Sequence, residues 1–153
     1  MVVIAPAELK HVNPLRVLLE EMDRHYGATE FEPFDRRVAQ IAEALFGPVP
    51  AAFVLLAWDD DQLVGLASYS FLWPAAGVTR SLYLKELYVT QAHRRRGIGK
   101  RLIDSLFEVA AKHDCSRVEW TADQESHGAQ CFYAALGIPV NVGKLFYRVE
   151  LAD

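Results

Sequence analysis

Ser81-Leu-Tyr-Leu-Lys-Glu-Leu-Tyr-Val89, then Thr90-Gln-Ala-His93, then Arg94-Arg-Arg-Gly97-Ile98-Gly99-Lys100 form the stretch that decides the fold. Residues 81–89 are rich in Leu, Tyr and Val, the composition of a buried strand. Behind the basic run, Ile98, Leu102, Ile103, Leu106, Val109 and Ala110 recur at helical spacing and predict a helix over 98–113. A strand that feeds a helix through a glycine-bearing turn leaves successive backbone N–H groups unpaired. The first helical turn adds more of them, with a partial positive charge. Such a turn is a cradle for phosphate. Gly97 and Gly99 let an anion approach the amides of residues 94–100, and Arg94, Arg95, Arg96 and Lys100 add charge-assisted contacts. The segment is neither G-x-x-x-x-G-K-[ST] nor G-x-G-x-x-G, which argues against a nucleoside triphosphate loop and a nicotinamide site.

Working outward, 2–5 reads as a short strand ended by Pro6. Asn13-Pro14 reads as the start of a helix that Gly27 stops. A second helix is expected over 34–46, with Val38, Ile41, Ala42 and Leu45 facing inward, broken by Gly47-Pro48-Val49-Pro50. Strands are expected over 51–58 and 62–73, joined by Asp59-Asp60-Asp61. Three adjacent carboxylates at a tight turn read as a solvated turn rather than a cation site. Downstream, 117–121 reads as a strand, 126–136 as a helix ended by Gly137, and 144–151 as a last strand with alternating apolar residues. This order predicts a mixed α/β domain with helices on both faces of its sheet.

The chain has 153 residues, enough for one domain with a real core and no need of metal or disulfide staples. Its net charge of -4 does not suit a nucleic-acid coat, which needs a clustered basic surface. The basic run inside an acidic chain instead suggests one discrete anion site. Cys115 and Cys131 match no metal-ligand spacing and read as free thiols of a reducing compartment. The opening apolar run is too short for a signal peptide, and no stretch approaches a bilayer span, so no membrane role and a cytoplasmic location are expected. His93, His113 and His127 form no ligand spacing and read as surface or helix-end residues.

Arg94, Gly97 and Gly99 match the pattern Q/R-x-x-G-x-G/A. Ala129-Gln-Cys-Phe132-Tyr133-Ala-Ala-Leu136-Gly137-Ile138 matches A-x-x-F-Y-x-x-L-G-F. Together they resemble the two signatures of the GNAT superfamily of N-acetyltransferases, and the likeness runs from Val2 to Leu151. The run 82–89 and the ending Gly143-Lys144-Leu145-Phe146 also look like the diamine and polyamine branch of that superfamily. The resemblance implies a single N-acetyltransferase domain of the acyl-CoA N-acyltransferase fold. Its central sheet would be mostly antiparallel, with about six or seven strands. It also implies acetyl-CoA as co-substrate, no metal, a small-molecule primary amine such as a diamine or amino acid derivative as acceptor, and a homodimer.

The resemblance carries roles residue by residue. Backbone groups of Leu87, Tyr88 and Val89 would hold the coenzyme's pantetheine arm as an added strand. Amides of Arg94, Arg95, Arg96, Gly97, Ile98, Gly99 and Lys100 would hold its pyrophosphate. Ala129 and Phe132 lie in the second coenzyme-binding motif. Glu86 stands at the family's strand carboxylate and reads either as the base that deprotonates the amine or as a hydrogen-bonded structural carboxylate. Tyr133 reads as the acid for the departing thiolate or as a core aromatic. The chain departs from the pattern at three places. Ser126 replaces a common Asn and either bonds the pantetheine or caps the helix. Lys85 stands where the polyamine enzymes would have a second carboxylate, and Ile138 replaces an aromatic. Tyr26, Glu30, Phe34, Tyr69 and Trp73 are candidates to line an acceptor pocket walled by the first two helices and the loop at 139–143. Two other readings stand beside this one: an N-acetyltransferase of proteins or peptides, and a non-catalytic acyl-CoA-binding module.

Overall fold

The computed structural model describes residues 1–151. Its five strands form one sheet in the order β1-β2-β3-β4-β5. They are β1 Val2–Pro6, β2 Phe53–Asp59, β3 Gln62–Leu72, β4 Arg80–Val89 and β5 Cys115–Glu119. Neighbours are antiparallel except β4 and β5, which run parallel. Parallel neighbours need a crossover, and helix α3, Ile98–Lys112, supplies it. Helices α1, Val12–His25, and α2, Phe34–Phe46, precede β2, and α4, His127–Ala135, follows β5. The chain divides into two units, residues 1–121 and the segment from Ala122 onward.

In the first unit, the faces of the sheet follow from two consecutive residues. Leu66 packs with Leu15, Leu18 and Met22 of α1. A Cβ placed on Gly65 would lie 3.4 Å from Leu102 of α3 and 3.1 Å from the Tyr88 carbonyl oxygen. Adjacent strand residues point to opposite faces, so α1 and α3 lie on opposite sides, as the element order predicts. Leu102, Ile103 and Leu106 of α3 are fully buried. Burial of each such side chain contributes about 1.5–3 kcal/mol. The inward-facing residues of α2, by contrast, are only half-buried, and none of its residues is fully enclosed.

Several sequence expectations need correction. The first helix begins at Val12, with His11 as its N-cap, rather than at Asn13-Pro14. A 3-10 turn, Leu9–His11, runs straight into it, and the Glu8 N–H donates to His11 Nδ1 at 3.0 Å. Pro14 fits in the first turn because its missing N–H has no intrahelical partner there. Among the described residues the sheet has five strands, not six or seven. Residues 144–151 form no strand: apolar alternation makes a strand only where an edge offers backbone partners, and no ladder reaches them among the described residues. The strand expected over 117–121 begins earlier, at Cys115.

The expected hairpin forms with Asp59 opposite Gln62 and Asp60-Asp61 as its loop. Asp60 takes a left-handed φ of 52°, which aspartate tolerates. Asp59 lies 3.6 Å from the chain's amino terminus and 3.3 Å from His93 Nε2. His93 is therefore no surface residue. It is buried, with its other ring nitrogen 3.0 Å from Thr90 Oγ1, and it anchors the exit of β4 to β2.

Candidate active site

The geometry of β4 makes the site. Ser68 pairs with Glu86 and Tyr69 with Leu84, so Lys85 is an extra residue bulged out of the ladder. The bulge changes the phase of the strand. Below it, Leu82 and Leu84 are buried on the side of Tyr69 and Phe71. Above it, Glu86 and Tyr88 stand on the α1 side, opposite Ser68 and Leu66. Lys85 itself is exposed. Without the bulge, period two would put Leu84 and Glu86 on one face.

Among the described residues, the strand ladders pair the upper half of β4 on one side only. The parallel ladder to β5 runs from Arg80 to Tyr83 and stops. The Thr90 N–H donates to the Val64 carbonyl at 2.9 Å. Antiparallel partners alternate, so Glu86 and Tyr88 also turn their backbone groups to β3. Leu87 and Val89 turn theirs to the open side. Of the three residues expected to receive a ligand strand, two present backbone groups and Tyr88 does not. Arg94 Nε donates to the Val89 carbonyl at 2.9 Å, so its side chain lies along this open edge.

Tyr88 contributes its side chain instead. Its hydroxyl donates to Glu21 Oε2 at 2.7 Å, and the Arg94 guanidinium carbon sits 5.4 Å from its ring centre. Burial, then the Glu21 carboxylate, pushes the phenol up to about 12. The folded chain thus holds this proton more tightly than the unfolded chain does. The associated stability is complete below pH ~10 and is lost as pH rises toward about 12. Chemical unfolding between about pH 8 and 11.5 should show Tyr88→Phe losing less stability than the parent across the upper part of that range. Parallel curves would contradict the assignment.

The turn after β4 has the form the sequence predicts. Arg95 has φ 62° and Gly97, the N-cap of α3, has φ 77°. Open space surrounds the position of a Gly97 Cβ, so glycine is favoured there by backbone angle and not by crowding. No side chain caps α3, and the first intrahelical bond runs from Arg101 N to Gly97 O at 3.1 Å. The N–H groups of Ile98, Gly99 and Lys100 therefore have no intrahelical acceptor. Arg95 and Arg96 are exposed and hold no side-chain partner among the described residues. Two neighbouring cations are already engaged. Lys100 Nζ pairs with Asp104 at 2.7 Å, and Arg101 donates to the Val2 carbonyl at 2.7 Å. The charge facing an anion here is that of Arg95, Arg96 and the helix terminus.

Among the acceptor-pocket candidates, Tyr26, Phe34 and Trp73 are more than half exposed, and Glu30 is exposed. Phe34 lies under the Arg16 guanidinium at 4.3 Å, and Trp73 Nε1 donates to the Val78 carbonyl at 2.9 Å. Tyr69 stacks on Phe53 at 5.7 Å and meets Phe71 edge-on, on the face opposite Ser68. None of the five lines the cleft of about 240 Å³ between α1, α2 and the sheet. That cleft and the Glu21–Tyr88 bond escape sequence reading. No local pattern links residues 67 positions apart.

In the second unit, Ser126 occupies the N-cap of α4 and its carbonyl accepts from Gln130 N at 3.1 Å, but its hydroxyl makes no cap bond. Gln130 Nε2 donates to the carbonyls of Asp123 and Gln124 at 3.0 and 2.8 Å, folding the preceding loop onto the helix. Phe132 and Tyr133 lie side by side with ring centres 5.2 Å apart. Gly137, at φ 76°, ends the helix as the sequence predicts, with Ile138 N donating to the Tyr133 carbonyl at 3.2 Å.

Comparisons with known proteins agree with this architecture. The model of the acetyltransferase (GNAT) family matches residues 16–138. Thialysine N-epsilon-acetyltransferase of Bos taurus is 31% identical over 120 residues, covering 71% of this chain and 70% of that one. A D-amino-acid N-acetyltransferase of Saccharomyces cerevisiae is 26% identical over 127 residues, covering 78% of each. An integron cassette protein from the mobile metagenome of V. cholerae superposes with a TM-score of 0.85 at 28% identity, over 97% of this chain and 92% of that one. The half-open β4 edge, the uncapped start of α3 and the family match over most of the chain lead to one assignment: this chain is an acetyltransferase of the GNAT family.

Proposed function

We propose that the chain transfers the acetyl group of acetyl-CoA to the primary amine of a small molecule in a ternary complex. The observation that carries this is the open edge at Leu87 and Val89 beside the uncapped N-terminus of α3. An extended amide chain ending in a diphosphate matches both: the edge offers strand-like hydrogen bonds and the helix start offers free N–H donors. Acetyl-CoA, when bound, supplies the thioester that the amine attacks. The chain's own residues do the rest. Amides 97–100, Arg95 and Arg96 hold the diphosphate. The Val89 N–H donates toward the thioester oxygen. Glu86, half-buried beside Ser68, takes the proton of the ammonium directly or through water. Tyr133 protonates the departing thiolate, and Ser126, Ala129 and Phe132 complete the coenzyme side. The support for these second-unit roles is the sequence match of the second motif.

Small-molecule acceptors are favoured because the relatives named above are, by their names, acetyltransferases of D-amino acids and of thialysine. A homodimer belongs to this reading on the family likeness, and a reducing compartment such as the cytoplasm suits the unbridged Cys115 and Cys131. No helix among the described residues is long and apolar enough to cross a membrane. The test is thiol release from acetyl-CoA with amines, amino acids and peptides as acceptors. Release with small amines is expected. Release with peptides alone would move the activity to protein substrates, and CoA binding with no release from any acceptor would leave only a binding module.

A further inference from the structure

The cleft between α1, α2 and the sheet has a composition that selects its occupant. Leu15 and Leu19 of α1, Ile41 and Leu45 of α2, and Val54 and Leu66 of the sheet form its walls. Its polar side chains are Gln40 and Ser68, and no carboxylate lines it. Ser68 sits directly opposite Glu86 across the β3–β4 ladder, on the same face. The apolar cleft therefore borders the carboxylate named above as the base. Ile41 and Leu45 of α2 are half-buried and pack against the core of Leu15, Val54 and Leu66 at the edge of this space.

We infer that the acceptor is a monoamine with an apolar body, its amine at Glu86 and its hydrocarbon part in the cleft. The inference rests on the acetylation reading above and narrows its substrate class. The volume of about 240 Å³ suits a ring or a short branched or straight chain. For comparison, a dry cavity of about 150 Å³ accommodates benzene. A diamine entering the same way would carry its second ammonium into a lining with no counter-charge. An ammonium held against these apolar walls loses part of its hydration without a counter-charge, which is disfavoured. This runs against the diamine acceptors suggested by likeness to the polyamine branch, and Lys85 at the neighbouring bulge agrees with it.

The experiment compares hexylamine, 1,6-diaminohexane and methylamine as acceptors, with the full chain, acetyl-CoA and thiol release as readout. Hexylamine is expected to exceed 1,6-diaminohexane in kcat/KM by about tenfold or more, since even one methylene in an apolar pocket is worth about 10- to 200-fold. Ala44→Phe, which adds a ring to the cleft wall, is expected to lower kcat/KM for hexylamine by about tenfold through KM and to leave methylamine nearly unchanged. Calorimetric titration with CoA checks that this variant is folded, and the milder Ala44→Val serves if it is not. Equal or better use of the diamine, or no acceptor-dependent effect of filling the cleft, overturns the inference while leaving acetylation standing. No thiol release with any of the three amines or with peptides would instead strike the acetylation reading, and this inference with it.

Discussion

Tyr133→Phe is expected to lower kcat by about a hundredfold while leaving CoA affinity within about twofold. General acid assistance contributes roughly 10²–10⁴ in rate. A thiol of pKa about 8.5 is already a fair leaving group, so the lower end applies. The substitution removes one oxygen and keeps the ring, so its packing at 5.2 Å from Phe132 is preserved. Steady-state kinetics with acetyl-CoA and a small amine, beside calorimetry with CoA, separate the two effects. Activity within a few-fold of the parent would make Tyr133 a packing aromatic. Equal losses in kcat and CoA affinity would make it a binding residue.

The second large effect concerns stability. Leu102→Ala is expected to destabilise the fold by about 2–5 kcal/mol. Leu102 is fully buried on α3, and its Cδ1 approaches within 3.4 Å of where a Gly65 Cβ would be. The glycine brings the helix close to β3, so deletion of the leucine leaves a cavity between two rigid elements that cannot easily collapse. Urea unfolding reads it directly as a lower midpoint at unchanged slope. A midpoint equal to the parent's would mean that α3 does not pack on β3 as described.

The elements of the first unit were legible because their signals are local and strong. The 3.6-residue recurrence in 98–113 and the glycine-arginine turn before it set α3 and its uncapped start. That the backbone groups of Tyr88 face β3 while those of Leu87 and Val89 face away depends on ladder phase, which only the register reveals. The bulge at Lys85 is equally hidden: the sequence there reads as an unbroken strand, and the extra residue exists only relative to β3. His93 looked like part of a basic surface run because its burial partner, Asp59, lies 34 positions away. Residues 144–151 mislead in the other direction. Alternation is necessary for a half-buried strand but not sufficient, since pairing is a property of two segments. The acceptor side was the least legible. The large exposed aromatics drew notice, whereas the cleft is made of ordinary leucines and isoleucines whose shared position is a tertiary fact.

One titration bears most directly on the account: CoA and pantetheine, each added to the full chain in a calorimeter at moderate salt. Both ligands offer the arm that would lie along β4, but only CoA carries the diphosphate for the amides of 97–100 and for Arg95 and Arg96. Measurable binding of CoA is expected, with pantetheine weaker by about a hundredfold or more and a CoA affinity that falls as salt rises. No heat with CoA, or equal affinity for the two ligands, would contradict it.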